Sequence, residues 1–439
     1  MGLGGGTFVT VGEKTMPGSY INFVSASRAN FALSERGFVA MPLELDWGEE
    51  QKVVTLSLDD FRNNSLTVFG YNFSDDAMKP LREIFRHAQT VYFYRLGTGT
   101  KAASTIATAK YAGTRGNKLK VVTTAILSGD TTTGYTVKTF LDDILVDTQE
   151  ASGADATTDD LAVNDFVDWV AEVSLGAGTI NLSGGTNATV TSGNYSSFLS
   201  AIEPYSFNTI GYAGTDSGIK ALFAAFTQRL RDSLGIKFQC VLHQYTTPNY
   251  EGIISVENTV GTNNTADIVY WVVGASAGCP VNKSNTNYKY DGEYDINVSY
   301  TQEQLEAALK AGKFMFHKVG DEIRVLEDIN TLSTFTQEKN EDFKYNQTIR
   351  VIDQIGNDIA AIFNTRFLGI IPNDDSGRAA LWNEIVKHHN SLQDIRAIEN
   401  FSSDNITVQQ GDTKHSVLVN DVITPINCMT QLYMTCKIE

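Results

Sequence analysis

The histidines and cysteines of this sequence are the residues whose types could do metal chemistry. His388 and His389 adjoin on a predicted helix, where consecutive side chains project about 100° apart, so the two rings cannot hold one metal ion together. We expect one ring to be packed and the other exposed. Cys240 and His243 share a predicted strand but, at odd spacing, point to opposite faces. Neither pair predicts a metal centre.

Paired acids and short motifs are the other candidates for chemistry. Asp142 and Asp143, like Asp159 and Asp160, stand in polar stretches typical of solvated loops, which argues against catalytic carboxylates. Residues 373–377 lack the ligand spacing of a calcium loop and are expected to cap a helix. The sequence contains no phosphate-loop, HExxH or GxSxG pattern. It therefore predicts no catalytic residue, cofactor or metal site, and a protein that is not an enzyme.

The composition is that of a globular protein. The 439 residues are 42% hydrophobic and 19% charged, and the length suggests about three domains. There are 51 acids and 34 bases, and the net charge of -17 argues against general affinity for nucleic acid or for an anionic membrane. The longest apolar run, residues 268–281, contains glycines and a proline and is too short to span a bilayer, so we expect a buried helix.

The N-terminus and the cysteines bear on the compartment. The first residues show no basic stretch followed by an apolar run, so no signal peptide is visible and synthesis in the cytoplasm is expected. The four cysteines form no CxxC pair and no disulfide-dense framework. We expect reduced, buried thiols at Cys240, Cys279, Cys428 and Cys436.

Strand and helix signals predict a mixed α/β (α+β), multidomain fold, with α/β core domains, an inserted β-rich outer domain and extended N- and C-terminal arms. The predicted domains are an N-terminal arm (1–19), an α/β domain in two parts (20–97 and 191–335), the insert (98–190), and a C-terminal domain (336–439) that ends in an arm (424–439). Predicted strands lie at 20–24, 67–71, 91–96, 118–126, 135–141, 179–182 and 236–242. Predicted helices lie at 77–87 and 219–234, and a capping box at Thr301 and Gln304 begins another.

The C-terminal domain shows the strongest helical periodicity. Two amphipathic helices are predicted, at about 346–367 and 376–395, followed by strands at 405–410, 415–422 and 426–438. Pro425 separates the last strand from the rest as a possible arm. The residues expected to face inward are Ile349, Ile352, Ile355, Ile359, Ile362 and Phe363 on the first helix, and Leu381, Ile385 and Leu392 on the second.

Several stretches resemble tail sheath proteins of contractile phages and of phage-tail-like bacteriocins, above all the sheath carried by prophages of Gram-positive bacteria. The resemblance covers essentially the whole chain in order and is carried by residues 4–8 (GGGTF), 16–23 (MPGSYINF), 111–117 (YAGTRGN), 314–330 and 422–439. It is weakest at 130–172, in the insert.

The resemblance implies a non-enzymatic structural subunit without a cofactor. Such subunits stack as hexameric rings around a rigid inner tail tube in a metastable extended state, and contraction drives the tube through a cell envelope. The implied partners are other copies of the chain, the tube protein, and baseplate and tail terminator proteins, with no direct contact to nucleic acid and no membrane insertion. The implied place is the bacterial cytoplasm during assembly, and then a phage tail or tail-like particle released on lysis.

The resemblance also implies roles for particular residues. In such sheaths both terminal arms add strands to sheets of neighbouring subunits, which suits short segments with strand patterning and no core of their own. Deleting residues 2–12 is expected to leave a folded monomer that cannot polymerise. The insert is expected to face outward and to be dispensable for the lattice. The inter-subunit residues predicted in the arms are Thr7, Phe8, Val9, Thr10, Val11, Leu432, Tyr433 and Met434.

The C-terminal domain is innermost in the resembled family, so the polar side of its second helix is the predicted tube contact. The residues predicted to make this contact are Arg378, Asn383, Lys387 and Asn390.

Two other functions stay open at the level of sequence. A nucleotide-dependent α/β enzyme is suggested by the strand and helix alternation near residues 206–242, although the loop at 211–218 is not GxGxxG. A surface adhesin or carbohydrate-binding protein is suggested by the Thr/Ser/Gly-rich insert, but it would need an export signal. Striated tubes in negative stain would favour the sheath over both.

Overall fold

The computed structural model describes residues 5–6, 19–20, 33–261 and 266–438. Its α-helices are α1 (Leu58–Phe69), α2 (Lys79–Ile84), α3 (Ser192–Ile202), α4 (Ser217–Gln228), α5 (Ile268–Gly278), α6 (Gln302–Lys310), α7 (Asn346–Ile362) and α8 (Asp375–Asp394). Short π-helical turns extend α4 through Arg229–Ser233 and α7 through Phe363–Phe367.

The strands alternate with these helices and also form separate β-rich parts. They are β1 (Gly5–Gly6), β2 (Ser19–Tyr20), β3 (Phe38–Leu43), β4 (Val53–Ser57), β5 (Thr90–Arg95), β6 (Gly99–Ala103), β7 (Ala107–Ala112), β8 (Leu119–Ser128), β9 (Thr131–Leu141), β10 (Ile144–Ser152), β11 (Val167–Trp169), β12 (Gly178–Asn181), β13 (Thr186–Asn187), β14 (Thr209–Tyr212), β15 (Gln239–His243), β16 (Ile253–Val256), β17 (Lys313–Phe314), β18 (Phe316–Val319), β19 (Glu322–Val325), β20 (Ile406–Gln410) and β21 (Val417–Asp421). The predicted mixed α/β, multidomain fold is confirmed.

A seven-stranded sheet forms the centre, in the order β17-β16-β15-β14-β3-β5-β4. Neighbouring strands run parallel except for β4, which is antiparallel to β5 at one edge. The inner strands β14, β15 and β16 are buried throughout, because helices cover both faces of the sheet. Residues of α1, α2 and α5 form the apolar cluster on one face, and residues of α3 and α4 form the cluster on the other.

Helix α5 is the apolar run that the sequence predicted as a buried helix, and nearly all of its side chains are buried. Its glycines permit close packing against the end of α2. A Cβ atom at Gly274 would lie 2.3 Å from the Ile84 carbonyl oxygen, and one at Gly278 would lie 2.0 Å from that of His87. Within the described ranges, no helix is long and apolar enough to cross a membrane.

Residues 67–71 were predicted to form a strand, and this prediction is wrong because they form the end of α1 and its cap. The helix begins after Ser57, whose Oγ accepts a hydrogen bond from the Asp60 backbone N–H at 3.1 Å. It ends at Gly70, which adopts the left-handed conformation with φ 74°. The β-branched and aromatic residues that suggested a strand are outweighed by these caps and by burial of Phe69 against the sheet.

Residues 99–187 form two four-stranded sheets, ordered β10-β9-β8-β12 and β11-β7-β6-β13. Their shared apolar core also buries Trp47, which lies in the loop after β3. Strands β6 and β13, at the two ends of this segment, pair with each other at Gly99 and Asn187. The segment follows β5 directly, so it lies at the carboxyl ends of the parallel strands of the central sheet.

The C-terminal helices lie at the opposite end of the central strands, where the parallel strands begin. Gln239, the first residue of β15, donates from Nε2 to Asn346 Oδ1 of α7 at 2.8 Å. Arg231 and Asp353 form a buried ion pair between the turn after α4 and α7, with Nη1 and Oδ2 2.6 Å apart. The insert and the C-terminal helices therefore occupy opposite ends of the central strands.

Helix α7 buries polar side chains as well as apolar ones. Ile349 and Ile362 are buried as predicted, whereas the other inward-facing residues predicted on this helix are only partly buried. Arg350 and Asp328 form an ion pair at 2.7 Å with side chains that are 1% and 0% exposed. Asp328 also accepts a hydrogen bond from Asn346 Nδ2 at 2.9 Å. This polar face joins α7 to the central domain.

Candidate assembly interface

The end of the chain is anchored next to α7 and then leaves the molecule. The Ile426 backbone N–H donates to the Ala397 carbonyl at 2.9 Å, and the Cys428 N–H donates to Gln347 Oε1 at 3.0 Å. Thr348 Oγ1 donates to Asn427 Oδ1 at 3.1 Å. Residues 429–438 make no hydrogen bond to the rest of the described chain. We call this segment the distal arm.

The distal arm is exposed along its whole length and carries a strand pattern. Leu432, Met434 and Ile438 are 86%, 75% and 97% exposed, and they share one face of an extended chain. Tyr433 lies on the other face with Gln431. The strand predicted at 426–438 is wrong for the single chain, because no described strand lies beside it. Period-two alternation with a full set of unpaired backbone groups is typical of a strand that pairs with another molecule.

The hairpin of β20 and β21 offers two open sheet edges. It pairs Ile406 with Asp421 and Gln410 with Val417, and no third strand joins it among the described residues. One face packs on α8, where Ile406 is buried and its carbonyl accepts a hydrogen bond from Trp382 Nε1 at 3.0 Å. The outer edges of the two strands leave backbone N–H and C=O groups with which an added strand could pair.

His388 and His389 connect this hairpin to both helices. His388 Nε2 lies 2.9 Å from Asp358 Oδ2 of α7, and His389 Nε2 lies 2.8 Å from Asp421 Oδ2 of β21. Both rings are buried, so the prediction that one of them is exposed is wrong. Each ring has a carboxylate to satisfy it, which permits burial of adjacent histidines on two sides of one helix. Their place is structural, at the root of the C-terminal segment.

The polar side of α8 holds three of the four residues predicted to contact a tube. Asn383, Lys387 and Asn390 lie on the solvent-exposed stripe of the helix, while Leu381, Ile385 and Leu392 are buried as predicted. Lys387 is 66% exposed, and its Nζ lies 2.8 Å from Glu384 Oε1. The stripe can therefore present amides and one ammonium group to a partner.

Arg378 is separated from this stripe. It lies about 140° around the helix from Asn383, in the first turn of α8. Its guanidinium pairs with Asp375 and donates to the Asn373 carbonyl at 3.0 Å. Asp374 caps the same turn by accepting from the Gly377 N–H at 2.7 Å, as predicted for this acidic stretch. Arg378 thus stabilises the start of the helix.

The remaining predictions concern the N-terminal arm, the cysteines and metal binding. Residues Thr7 to Val11 lie outside the described residues, while β1 and β2 on either side of them pair in parallel. Cys240 and Cys279 are buried as predicted, whereas Cys428 and Cys436 are exposed, so the prediction of four buried thiols is wrong for these two. In the described part of the chain, no group of three or more His, Cys, Asp or Glu side chains could hold a metal ion.

Comparison with known proteins supplies the family. Models of the phage tail sheath match in three places: the Gp18 domain III N-terminal region at residues 36–96, the central domain at 188–331 and the C-terminal domain at 338–439. The chain is 33% identical to phage-like element PBSX protein XkdK of Bacillus subtilis, over 100% of both proteins. It is 37% identical to a sheath tail protein of Desulfitobacterium hafniense of known structure, with a TM-score of 0.83, covering 94% of this chain and 98% of that one. The chain belongs to the phage tail sheath family.

More distant sheaths share the fold. The sheath tail protein of Listeria innocua is 30% identical, with a TM-score of 0.76 over 91% of this chain and 94% of that one. The sheath of the extracellular contractile injection system PVC, in its contracted state, is 11% identical with a TM-score of 0.56, covering 98% of each chain. The family models leave residues 97–187 of this sheath protein unmatched, between the first two matches.

The glycine loop that suggested a nucleotide has another use in this sheath protein. A Cβ atom at Gly214 would come within 2.2 Å of the Tyr212 ring, so this glycine makes room for a tyrosine. Asp216 then caps α4 by accepting from the Ile219 N–H at 2.9 Å. A carboxylate therefore occupies the helix N-terminus at which a phosphate would bind. This arrangement disfavours the nucleotide-dependent enzyme.

Sequence reasoning missed the residues that anchor the arm. Gln347 and Thr348 hold its root, and Asp421 fixes the strand that precedes it. No helical pattern marked these anchors: the polar residues that recur on α7 at positions 346, 350, 353 and 357 form a second stripe opposite the isoleucines, but Gln347 and Thr348 do not belong to it. Such a stripe on a helix that is also apolar indicates burial against a polar partner.

Proposed function

We propose that this sheath protein polymerises as hexameric rings stacked around a rigid inner tube, in a metastable extended state, and that contraction drives the tube through a cell envelope. The observation that carries the proposal is the distal arm, an exposed segment with a strand pattern that pairs with no strand of its own chain among the described residues. The protein acts as a structural, force-generating subunit with no catalytic role. Its other partners are the baseplate and tail terminator proteins.

The arm and the hairpin are complementary parts of such a lattice. An exposed strand adds to an open sheet edge by main-chain hydrogen bonds, while alternate side chains fix its register. The hairpin of β20 and β21 has such edges, and the arm of a second copy is the proposed added strand. The root at Gln347 and Thr348 keeps each arm tied to its own subunit during movement. The segment at residues 7–11 is proposed as a second arm of the same kind.

The two ends of the central sheet support a radial arrangement. The C-terminal helices lie where the parallel strands begin, and the insert lies where they end. If α8 faces the tube, the insert points away from it. The insert is therefore proposed as an outer lobe, outside the contacts of the lattice. Assembly takes place in the bacterial cytoplasm, and lysis releases the particle.

Microscopy of the purified full chain tests the proposal. We expect concentrated protein in negative stain to form striated tubes with six-fold end views, because each subunit carries both a donor strand and acceptor edges. Particles that remain monomeric at every concentration, with and without the tube protein, would contradict it.

The exposed stripe of α8 is the proposed tube contact, and charge reversal tests it. Lys387→Glu should weaken sheath assembly on isolated tubes at low salt. The effect should fade as the salt concentration rises, because salt screens exposed ion pairs. Each such pair is worth only about 0–1 kcal/mol, so the contact depends on repetition of the pairs along the tube. Co-sedimentation of sheath with tubes measures the effect.

Arg378→Glu is a useful comparison, since Arg378 lies off the stripe and is bonded to its own helix turn. It should lower the melting temperature through loss of that turn, with little salt-dependent change in tube binding. If Arg378→Glu and Lys387→Glu had the same salt-dependent effect, the stripe would not be the contact.

A further inference from the structure

A crevice opens at the edge of the central sheet where strands β3, β5 and β14 end. Strand β3 lies between the other two, and the chain reaches β5 through α2 on one face and β14 through α3 on the other. In open parallel sheets such a switch in direction leaves a gap outside the carboxyl ends of the strands, which is where ligands bind. The crevice has a volume of about 450 Å³, within the range of small-molecule sites.

The walls of the crevice are tyrosines and carboxylates. Tyr195, Tyr212 and Tyr270 line it together with Glu44 and Asp267. Tyr195 donates from its hydroxyl to Glu44 Oε1 at 3.2 Å, and the rings of Tyr195 and Tyr212 meet edge to face with centroids 5.2 Å apart. Exposed Glu44 is thus held in the lining by the Tyr195 hydroxyl.

A second cavity of about 410 Å³ continues the crevice past Glu44. It contains Asp46, whose Oδ2 accepts a hydrogen bond from the Tyr71 hydroxyl at 2.9 Å. Arg115 stacks on the Tyr71 ring at 4.3 Å and pairs with Asp142 at 2.7 Å. Among the described residues that line the two cavities, none is basic.

The tyrosine hydroxyls are buried next to these acids. Burial raises the pKa of Tyr195, and the Glu44 carboxylate raises it further. Burial also raises the pKa of Tyr270, with Asp267 and Glu44 acting in the same direction. An anion such as a phosphate would meet repulsion here, whereas a cation would meet both carboxylates and aromatic faces.

We propose that this crevice binds the cationic end of an alkylammonium or guanidinium compound. The carboxylates of Glu44 and Asp267 pair with the charge, and the tyrosine rings contact the apolar stem. The cation comes either from a free polyamine or from a lysine or arginine side chain of another copy of the chain. Both sources present the same chemistry to the crevice.

Titration of the unassembled full chain with spermidine and with argininamide tests the proposal, with intrinsic fluorescence or calorimetry as the readout. We expect saturable binding that weakens with salt and is absent for acetate. Glu44→Gln keeps the shape of the site and should weaken binding roughly threefold to tenfold, as should Asp267→Asn, since each removes one charge partner. Asp394→Asn removes an exposed acid on α8 and should bind as the wild type does.

Absence of saturable binding at low salt, or equal binding by wild type and a Glu44→Gln, Asp267→Asn double variant, would overturn the proposal. Because Glu44 is exposed, Glu44→Gln should fold normally even if Asp267→Asn does not. A polymerisation assay then separates the sources. If Glu44→Gln forms no tubes and spermidine inhibits tube formation by the wild type, the cation belongs to a neighbouring copy. If tube formation is unchanged, the cation is a free polyamine.

Discussion

Truncation after Cys428 should abolish polymerisation while leaving a folded, monodisperse subunit. The truncation removes the distal arm and Glu439, and the arm residues are exposed and make no hydrogen bond to the described remainder of the chain. In the lattice the same segment is expected to bury Leu432, Met434 and Ile438, each worth about 1.5–3 kcal/mol on full burial. Sedimentation and negative-stain counts of tubes measure the loss, and circular dichroism checks the fold.

The two faces of the arm provide a matched control. Changing Leu432, Met434 and Ile438 to serine should reduce assembly almost as much as truncation does. Changing Gln431, Thr435 and Lys437 to serine alters as many residues on the opposite face and should cost much less. Equal losses from both triple variants would show that the arm does not bind as a strand with one buried face.

The second large effect is expected at the buried ion pair that joins α7 to the central domain. Asp328→Asn leaves Arg350 charged in a site where its side chain is 1% exposed, and such an unpaired charge costs about 3–5 kcal/mol. We expect the midpoint of unfolding to shift to a clearly lower urea concentration, and tryptophan fluorescence measures this shift.

Two comparisons separate this explanation from a general effect of losing an acid. Adding Arg350→Met to Asp328→Asn should restore much of the stability, because it removes the unpaired charge. Asp143→Asn breaks an ion pair with Lys120 in which Asp143 is 99% exposed, and it should leave the midpoint unchanged. Failure of the double variant to recover would mean that Asp328 acts mainly through its hydrogen bonds.

Local patterns were enough to predict elements whose own sequence determines them. The apolar run at 268–281 became α5, the capping box at Thr301 and Gln304 begins α6, and the periodicity of Leu381, Ile385 and Leu392 gave the buried face of α8. In each case the local sequence favours the same helix that the tertiary contacts stabilise.

The partners of the buried polar side chains could not be predicted, because they lie elsewhere in the chain. Arg350 depends on Asp328, and Asp353 depends on Arg231, which lies 122 residues earlier. His389 depends on Asp421 in the same way. The arm shows the reverse situation: its strand pattern was visible, but the partner strand is proposed to belong to another molecule. A single sequence contains no direct signal for either kind of partner.

The pairing of β6 with β13 has a consequence for how sheaths diversify. Gly99 lies opposite Asn187 at the base of the insert, and a side chain at Gly99 would come within 1.9 Å of the Thr186 carbonyl oxygen, so this glycine allows the two ends to meet. A segment whose ends are clasped together can be lengthened, shortened or exchanged without moving the strands on which it stands. If the insert is the proposed outer lobe, related particles can in this way change their outer surface while they keep the same central sheet and C-terminal helices.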